Sequence, residues 1–136
     1  MSNVTGYGTI PFITREAGED LSAGIIGAVK TSDNKIYKAD DAAGYNMAGL
    51  VKNDVDSGDK ATLTFEVAWV DNSSDNAVSA SNIGGICYVE DEYTVASASA
   101  AGIGTPLIAG RVLNVDSSKG VLVDFNAKAA VSASAT

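Results

Sequence analysis

Lys60-Ala61-Thr62-Leu63-Thr64-Phe65-Glu66-Val67-Ala68-Trp69-Val70 is the stretch that decides the fold class. Ala61, Leu63, Phe65, Val67 and Trp69 alternate with Thr62, Thr64, Glu66 and Ala68. A period of two puts successive side chains on opposite faces of a strand, whereas a buried helix face needs apolar residues three and four apart. The spacing predicts one long half-buried strand over 61–70. It assigns Leu63, Phe65, Val67 and Trp69 to the core or to a subunit interface.

On either side the same rhythm continues. Gly, Asn, Asp and Ser interrupt β-branched and apolar residues at short intervals, so helical periodicity never builds up. Further strands are predicted at 25–30, 35–38, 47–52, 85–89, 93–96, 107–115 and 120–126. Ser32-Asp33-Asn34, Asp56-Ser57-Gly58-Asp59 and Ser117-Ser118-Lys119-Gly120 supply turn chemistry between them, and Asp91 reads as the tip of a hairpin joining Tyr88 to Tyr93. The expected class is mainly β: a small β-sandwich or β-barrel-like domain with an extended N-terminal arm.

The pattern also repeats. Gly24, Ile26, Gly44, Val55, Asp56, Leu63 and Phe65 recur sixty residues later as Gly84, Ile86, Gly104, Val115, Asp116, Val123 and Phe125. Ala48-Gly49-Leu50-Val51 matches Ala109-Gly110-Arg111-Val112 at sixty-one. This is a weak duplication of a four-strand unit, with halves at 20–70 and 83–126 inside a β-rich domain of 20–126. Residues 71–82, rich in Ser, Asn and Asp, read as the linker between the halves. Residues 1–19 form an arm too apolar for a free tail and too interrupted for a helix, and such a segment wants a binding surface. Residues 127–136 are an Ala/Ser-rich flexible tail.

The bulk numbers narrow the function classes. The 136 residues make one domain with a modest core. Hydrophobic residues reach 46% but aromatics only 7%, so each burial event contributes little and a partner surface is expected to complete the core. The net charge of −8, with scattered basic residues, argues against direct nucleic-acid binding. No window suits a membrane span, and residues 1–15 lack the pattern of a secretory signal, which implies synthesis in a cytoplasm. The single cysteine, Cys87, lies in an apolar run and excludes an internal disulfide.

Chemistry is sparse. There is no histidine, which removes the commonest proton carrier and metal ligand. Cys87 has neither an activating base nor a helix N-terminus beside it in sequence, so it reads as a buried small hydrophobe. The acidic groups Asp40-Asp41, Asp54/Asp56/Asp59 and Glu90-Asp91-Glu92 could serve as paired carboxylates or hold Ca²⁺, but from Asp54 the glycine comes one place early and Glu66 one place late for a calcium loop. They read as solvated turn residues. Gly6-Tyr7-Gly8 and Gly102-Ile103-Gly104-Thr105-Pro106 lack the Lys or third Gly of a phosphate-binding loop. No catalytic residue, metal or cofactor is expected. Two rivals to a structural role are an acid-pair hydrolase and a β-sandwich binding module of a phage fibre or surface layer that recognises glycan. The second predicts clustered aromatics, while Tyr7, Tyr37, Tyr45, Tyr88 and Tyr93 are spread along the chain.

Ala23-Gly24-Ile25-Ile26-Gly27-Ala28-Val29, Lys35-Ile36-Tyr37-Lys38-Ala39 and Met47-Ala48-Gly49-Leu50-Val51 resemble the opening of small phage head-decoration proteins. The later run of Gly84-Gly85-Ile86-Cys87-Tyr88-Val89, Tyr93-Thr94-Val95, Ile108-Ala109-Gly110-Arg111-Val112 and Gly120-Val121-Leu122-Val123-Asp124-Phe125 resembles the tailed-phage capsid-cement family, and more loosely the lambda-type decoration proteins. The likeness covers 20–126 and rests on turns and apolar strands. It implies a homotrimeric knob on the outer surface of the expanded phage head, made in the host bacterial cytoplasm and bound to the major capsid protein. It further implies that the arm residues Tyr7, Ile10, Pro11, Phe12 and Ile13 contact the shell, and that binding stabilises the expanded state by mass action. The lengths of the linker and tail depart from that family.

Overall fold

The computed structural model describes residues 12–102 and 104–128. The chain is mainly β. The first five strands are β1 (Phe12–Glu16), β2 (Ile26–Lys30), β3 (Ile36–Lys38), β4 (Tyr45–Val51) and β5 (Lys60–Thr64), and they form one sheet in the order β1-β5-β4-β2-β3. The next five are β6 (Val67–Asn72), β7 (Ile86–Val89), β8 (Thr94–Ala96), β9 (Ile108–Asp116) and β10 (Gly120–Asp124), and they close into a barrel. The one helical element among the described residues is a single 3-10 turn at Ala80–Asn82.

The stretch read as one strand is two. It breaks at Phe65-Glu66, where the Phe125 N–H donates to the Glu66 carbonyl, and the halves go to different sheets. The break also inverts the faces. In β5 the odd residues Ala61 and Leu63 are buried, both 0% exposed, while in β6 the inward side chains are Ala68 and Val70. Phe65 is half-buried at the crossover, and Val67 and Trp69 are 51% and 37% exposed. The assignment of all four residues to one face is therefore corrected: Leu63 is core, and Val67 and Trp69 lie outside the core of this chain. A continuous alternation cannot announce a change of sheet, because both strands obey the same period.

The two sheets follow one plan. Starting from β6, the barrel runs β6-β10-β9-β7-β8, the order of the first sheet with each element replaced by its counterpart five places on. Antiparallel pairs match antiparallel pairs. The barrel closes by parallel pairing of Asp71 with Thr94 and Asn72 with Val95, and the ends of the first sheet meet in the parallel bridge Ala17–Ile36. Register shifts fall at Gly27/Val29 in one and Cys87/Tyr88 in the other. Gly24 N–H to Val51 O and Val51 N–H to Ile25 O have counterparts in Gly84 N–H to Val112 O and Val112 N–H to Gly85 O. Gly49 and Gly110 explain themselves by close approach: a Cβ at either would press into the carbonyl oxygen of Thr64 or Asp124, which are again counterparts.

Each repeat thus has five strands rather than four, and the boundaries move. The first lobe spans 12–64 and the second begins at Val67. Residues 71–82 are no linker: they start inside β6 and belong to the second lobe, where Ser73 and Val78 are buried and Asn72 holds both the N–H and the carbonyl of Val78. Residues 12–19 of the segment read as an arm belong to the first lobe. Phe12 and Ile13 open β1, which pairs along its whole length with β5, and Ala17 and Leu21 are buried. Tyr7, Ile10 and Pro11 lie outside the described residues, as do 129–136 of the tail.

Two cores result. One, with Leu21, Ile25, Ile36, Val51 and Leu63, fills the first lobe. The larger fills the barrel with Val89, Val95, Val112, Val121, Val123 and Phe125 and runs on into Ile26, Ala28, Ala39 and Ala48 of the first lobe. Ile26 shows why: its N–H donates to the Glu92 carbonyl across the lobe boundary at 2.7 Å. The lobes share apolar packing, which no flexible linker would allow.

Candidate functional site

The most unusual chemistry sits at the seam between the lobes. Lys128 follows β10 and turns its side chain inward, where Nζ donates to the carbonyl oxygens of Ala48 (2.8 Å), Ala109 (2.6 Å) and Phe125 (2.6 Å). An ammonium has three protons, and all three are used. Ala48 and Ala109 are counterparts in the two repeats, so one cation ties the same backbone position of both lobes. The rings of Phe65 and Phe125, also counterparts, lie 5.6 Å and 5.7 Å from it. Burial pulls the Lys128 ammonium down to about 8, with the Asp124 carboxylate opposing.

Beside this clasp lies a cavity of about 430 Å³ lined by Ile13, Asn46, Met47, Phe65, Phe125 and Lys128. Met47 stands in β4 with φ 54, a left-handed conformation that costs a residue with a Cβ about 1–2 kcal/mol. It occurs where β4 bulges against β2, and Met47, 41% exposed, lines the cavity. Phe12, 54% exposed, sits on β1 next to Ile13, opposite Thr64 and beside the crossover residue Phe65.

The acidic groups singled out from sequence are dispersed, and Asp41, Asp54, Glu90 and Asp91 among them hold neighbouring loops. Asp41 accepts from Ser99 Oγ and the Ala101 N–H, a further link between the lobes. Asp54 accepts from the Ala23 N–H, and Asp91 from the Tyr93 N–H. Glu90 accepts from Ser73 Oγ. Asp116 takes the Ser118 and Lys119 N–H groups, which hold its carboxyl below the usual range. Among the described residues no group of three or more His, Cys, Asp or Glu is placed to hold a metal ion. Asp71, Glu90, Asp116 and Lys119 border a second, polar hollow of about 590 Å³ at the closure of the barrel.

Cys87 is fully buried, and burial pushes its thiol up to about 12. A thiol so placed has almost no thiolate near neutral pH. Among the described residues no helix is long and apolar enough to cross a membrane. Sequence reasoning passed over Lys128, whose signal is faint: it is the one charged residue of the segment 127–136.

Comparison of the chain with protein-family models, with curated proteins and with solved structures found no match.

Proposed function

We propose that the chain is a structural capsid-decoration protein that binds the outer surface of an expanded phage head through its N-terminal end and stabilises it. The observation that carries this reading is Phe12: a large apolar side chain, 54% exposed, on the first strand at its junction with residues 1–11. The exposed Met47 and the seam cavity, which Ile13 lines from the next position of that strand, add further uncovered apolar surface. Uncovered aromatic and aliphatic groups next to an apolar arm suit a partner that buries both. The two lobes, locked by shared core and by Lys128, suit a load-bearing part. Binding energy gained only on the expanded lattice would stabilise that state by mass action.

The test is co-sedimentation with expanded, undecorated heads. Deleting 1–19 would remove β1 and unfold the first lobe, so the comparison uses substitutions instead. Ile10→Ala combined with Phe12→Ala changes one residue of the segment 1–11 and one exposed position of β1. Wild type is expected to saturate the heads, with binding about tenfold or more weaker in the double variant. Absence of binding to both immature and expanded heads would end this reading.

A further inference from the structure

Two lobes on one plan supply an internal control for what folding requires at each surface position. On the outward face of β1 and β5 stand Phe12, Thr14 and Thr62, with Thr14 and Thr62 as Cα partners whose hydroxyls lie 3.3 Å apart. The corresponding positions of β6 and β10 hold Val67, Trp69 and Leu122, with Trp69 and Leu122 as Cα partners. A polar pair serves the strand crossing in the first lobe, so folding does not call for Trp and Leu in the second. Leu113 adds to this face. It is the extra residue where β9 bulges against β10, and it is 40% exposed. Val67, Trp69 and Leu113, exposed, with the half-buried Leu122 between the strands, therefore make an apolar patch on the barrel wall.

The rim says what covers it. With a net charge of −8, two copies of the chain repel one another except where opposite charges can pair across the contact. Around this patch both signs are present: Asp71, Asp116 and Asp124 with Lys119 and Arg111. Asp124 is the Cα partner of both Val67 and Arg111, and the Lys119 ammonium lies 5.4 Å from the Trp69 ring. The Arg111 Nε is buried without a hydrogen-bond partner among the described residues. A face with an apolar centre and both signs at its edge is complementary to itself, which is the requirement of a contact between identical subunits.

We propose that the outward face of β6, β10 and β9 is the surface through which a second copy of this chain docks, with Trp69 as its anchor. This rests on the reading of the chain as a structural subunit and names the face by which copies join. Aromatic side chains at the centre of such contacts carry a disproportionate share of binding.

The experiment is sedimentation equilibrium of the full chain in solution, without heads, from micromolar to millimolar concentration. The variant Trp69→Thr with Leu122→Thr installs what the first lobe carries at the matching positions, so the fold is expected to survive, checked by circular dichroism and melting. Ile83→Thr removes an exposed apolar side chain outside the patch as a control. Wild type and Ile83→Thr should associate beyond the 13.8 kDa monomer, and the double variant about 30-fold or more weaker. A monomeric wild type, a folded double variant that associates as well as wild type, or equal loss in Ile83→Thr would each overturn the proposal. Head binding is measured separately. A monomer that still saturates heads sinks this face alone, and an oligomer that ignores heads sinks the decoration reading alone.

Discussion

Replacing Lys128 by Met tests whether the seam is held by a desolvated cation. Met keeps most of the side-chain volume and loses the three hydrogen bonds to Ala48, Ala109 and Phe125. Each carbonyl left without a donor costs about 1–2 kcal/mol, or about 4–5 kcal/mol for three. Against that, the variant no longer holds a charge away from water. The gap between an ammonium at about 8 in the folded chain and 10.5 in the unfolded one corresponds to about 3 kcal/mol. Near pH 7 the two effects nearly offset, and Lys128→Met should lose only about 1 kcal/mol. Between about 8 and 10.5 the unfolded chain keeps a proton that the folded one has released, so wild-type stability from this group rises with pH and falls away as pH drops through 8. By pH 9.5 wild type has gained about 2 kcal/mol that the variant cannot gain, and the difference widens to about 3 kcal/mol. Urea unfolding of both proteins at the two pH values reads this directly. A difference that stays constant or narrows with rising pH would refute the buried-cation argument.

Leu63→Ala should cost about 3 kcal/mol and Val67→Ala less than about 0.5 kcal/mol, because the break at Phe65-Glu66 turns the second residue outward; equal losses in urea unfolding would contradict that inversion. Gly110→Ala drives a methyl into the Asp124 carbonyl oxygen and should cost more than about 3 kcal/mol, with Gly49→Ala next to Thr64 somewhat milder; an unchanged melting temperature for Gly110→Ala would show that the β9–β10 approach is looser than described. Cys87 should resist alkylation in the native protein at neutral pH and react fully in denaturant, with rapid native labelling followed by mass spectrometry as the adverse result.

Most strands were legible because their signals are local. Gly, Asp and Asn at the turns and β-branched residues between them fix where the chain runs extended, and β2, β3, β4, β7, β8, β9 and β10 fall within a few residues of the predicted stretches. The pairs Leu63/Val123 and Phe65/Phe125 likewise carried the repeat in the sequence itself. β1 was missed for the opposite reason. Phe-Ile-Thr-Arg-Glu has no clean alternation, and what makes it a strand is a partner, β5, nearly fifty residues away.

The sequence by itself determined the β class, the turns, the doubling and the absence of histidine chemistry, since each depends on residue type at short spacing or on comparing one stretch with another. The tertiary structure alone decided which face of each strand is buried. An alternating strand is the same string whichever side meets the core, so Val67 and Trp69 could be assigned outward only after β6 left the first sheet for the barrel. It also decided that Lys128 joins the lobes. That contact needs Ala48, Ala109 and Phe125 brought to one point, and nothing in a run of Ala and Ser can encode the meeting of three distant carbonyls.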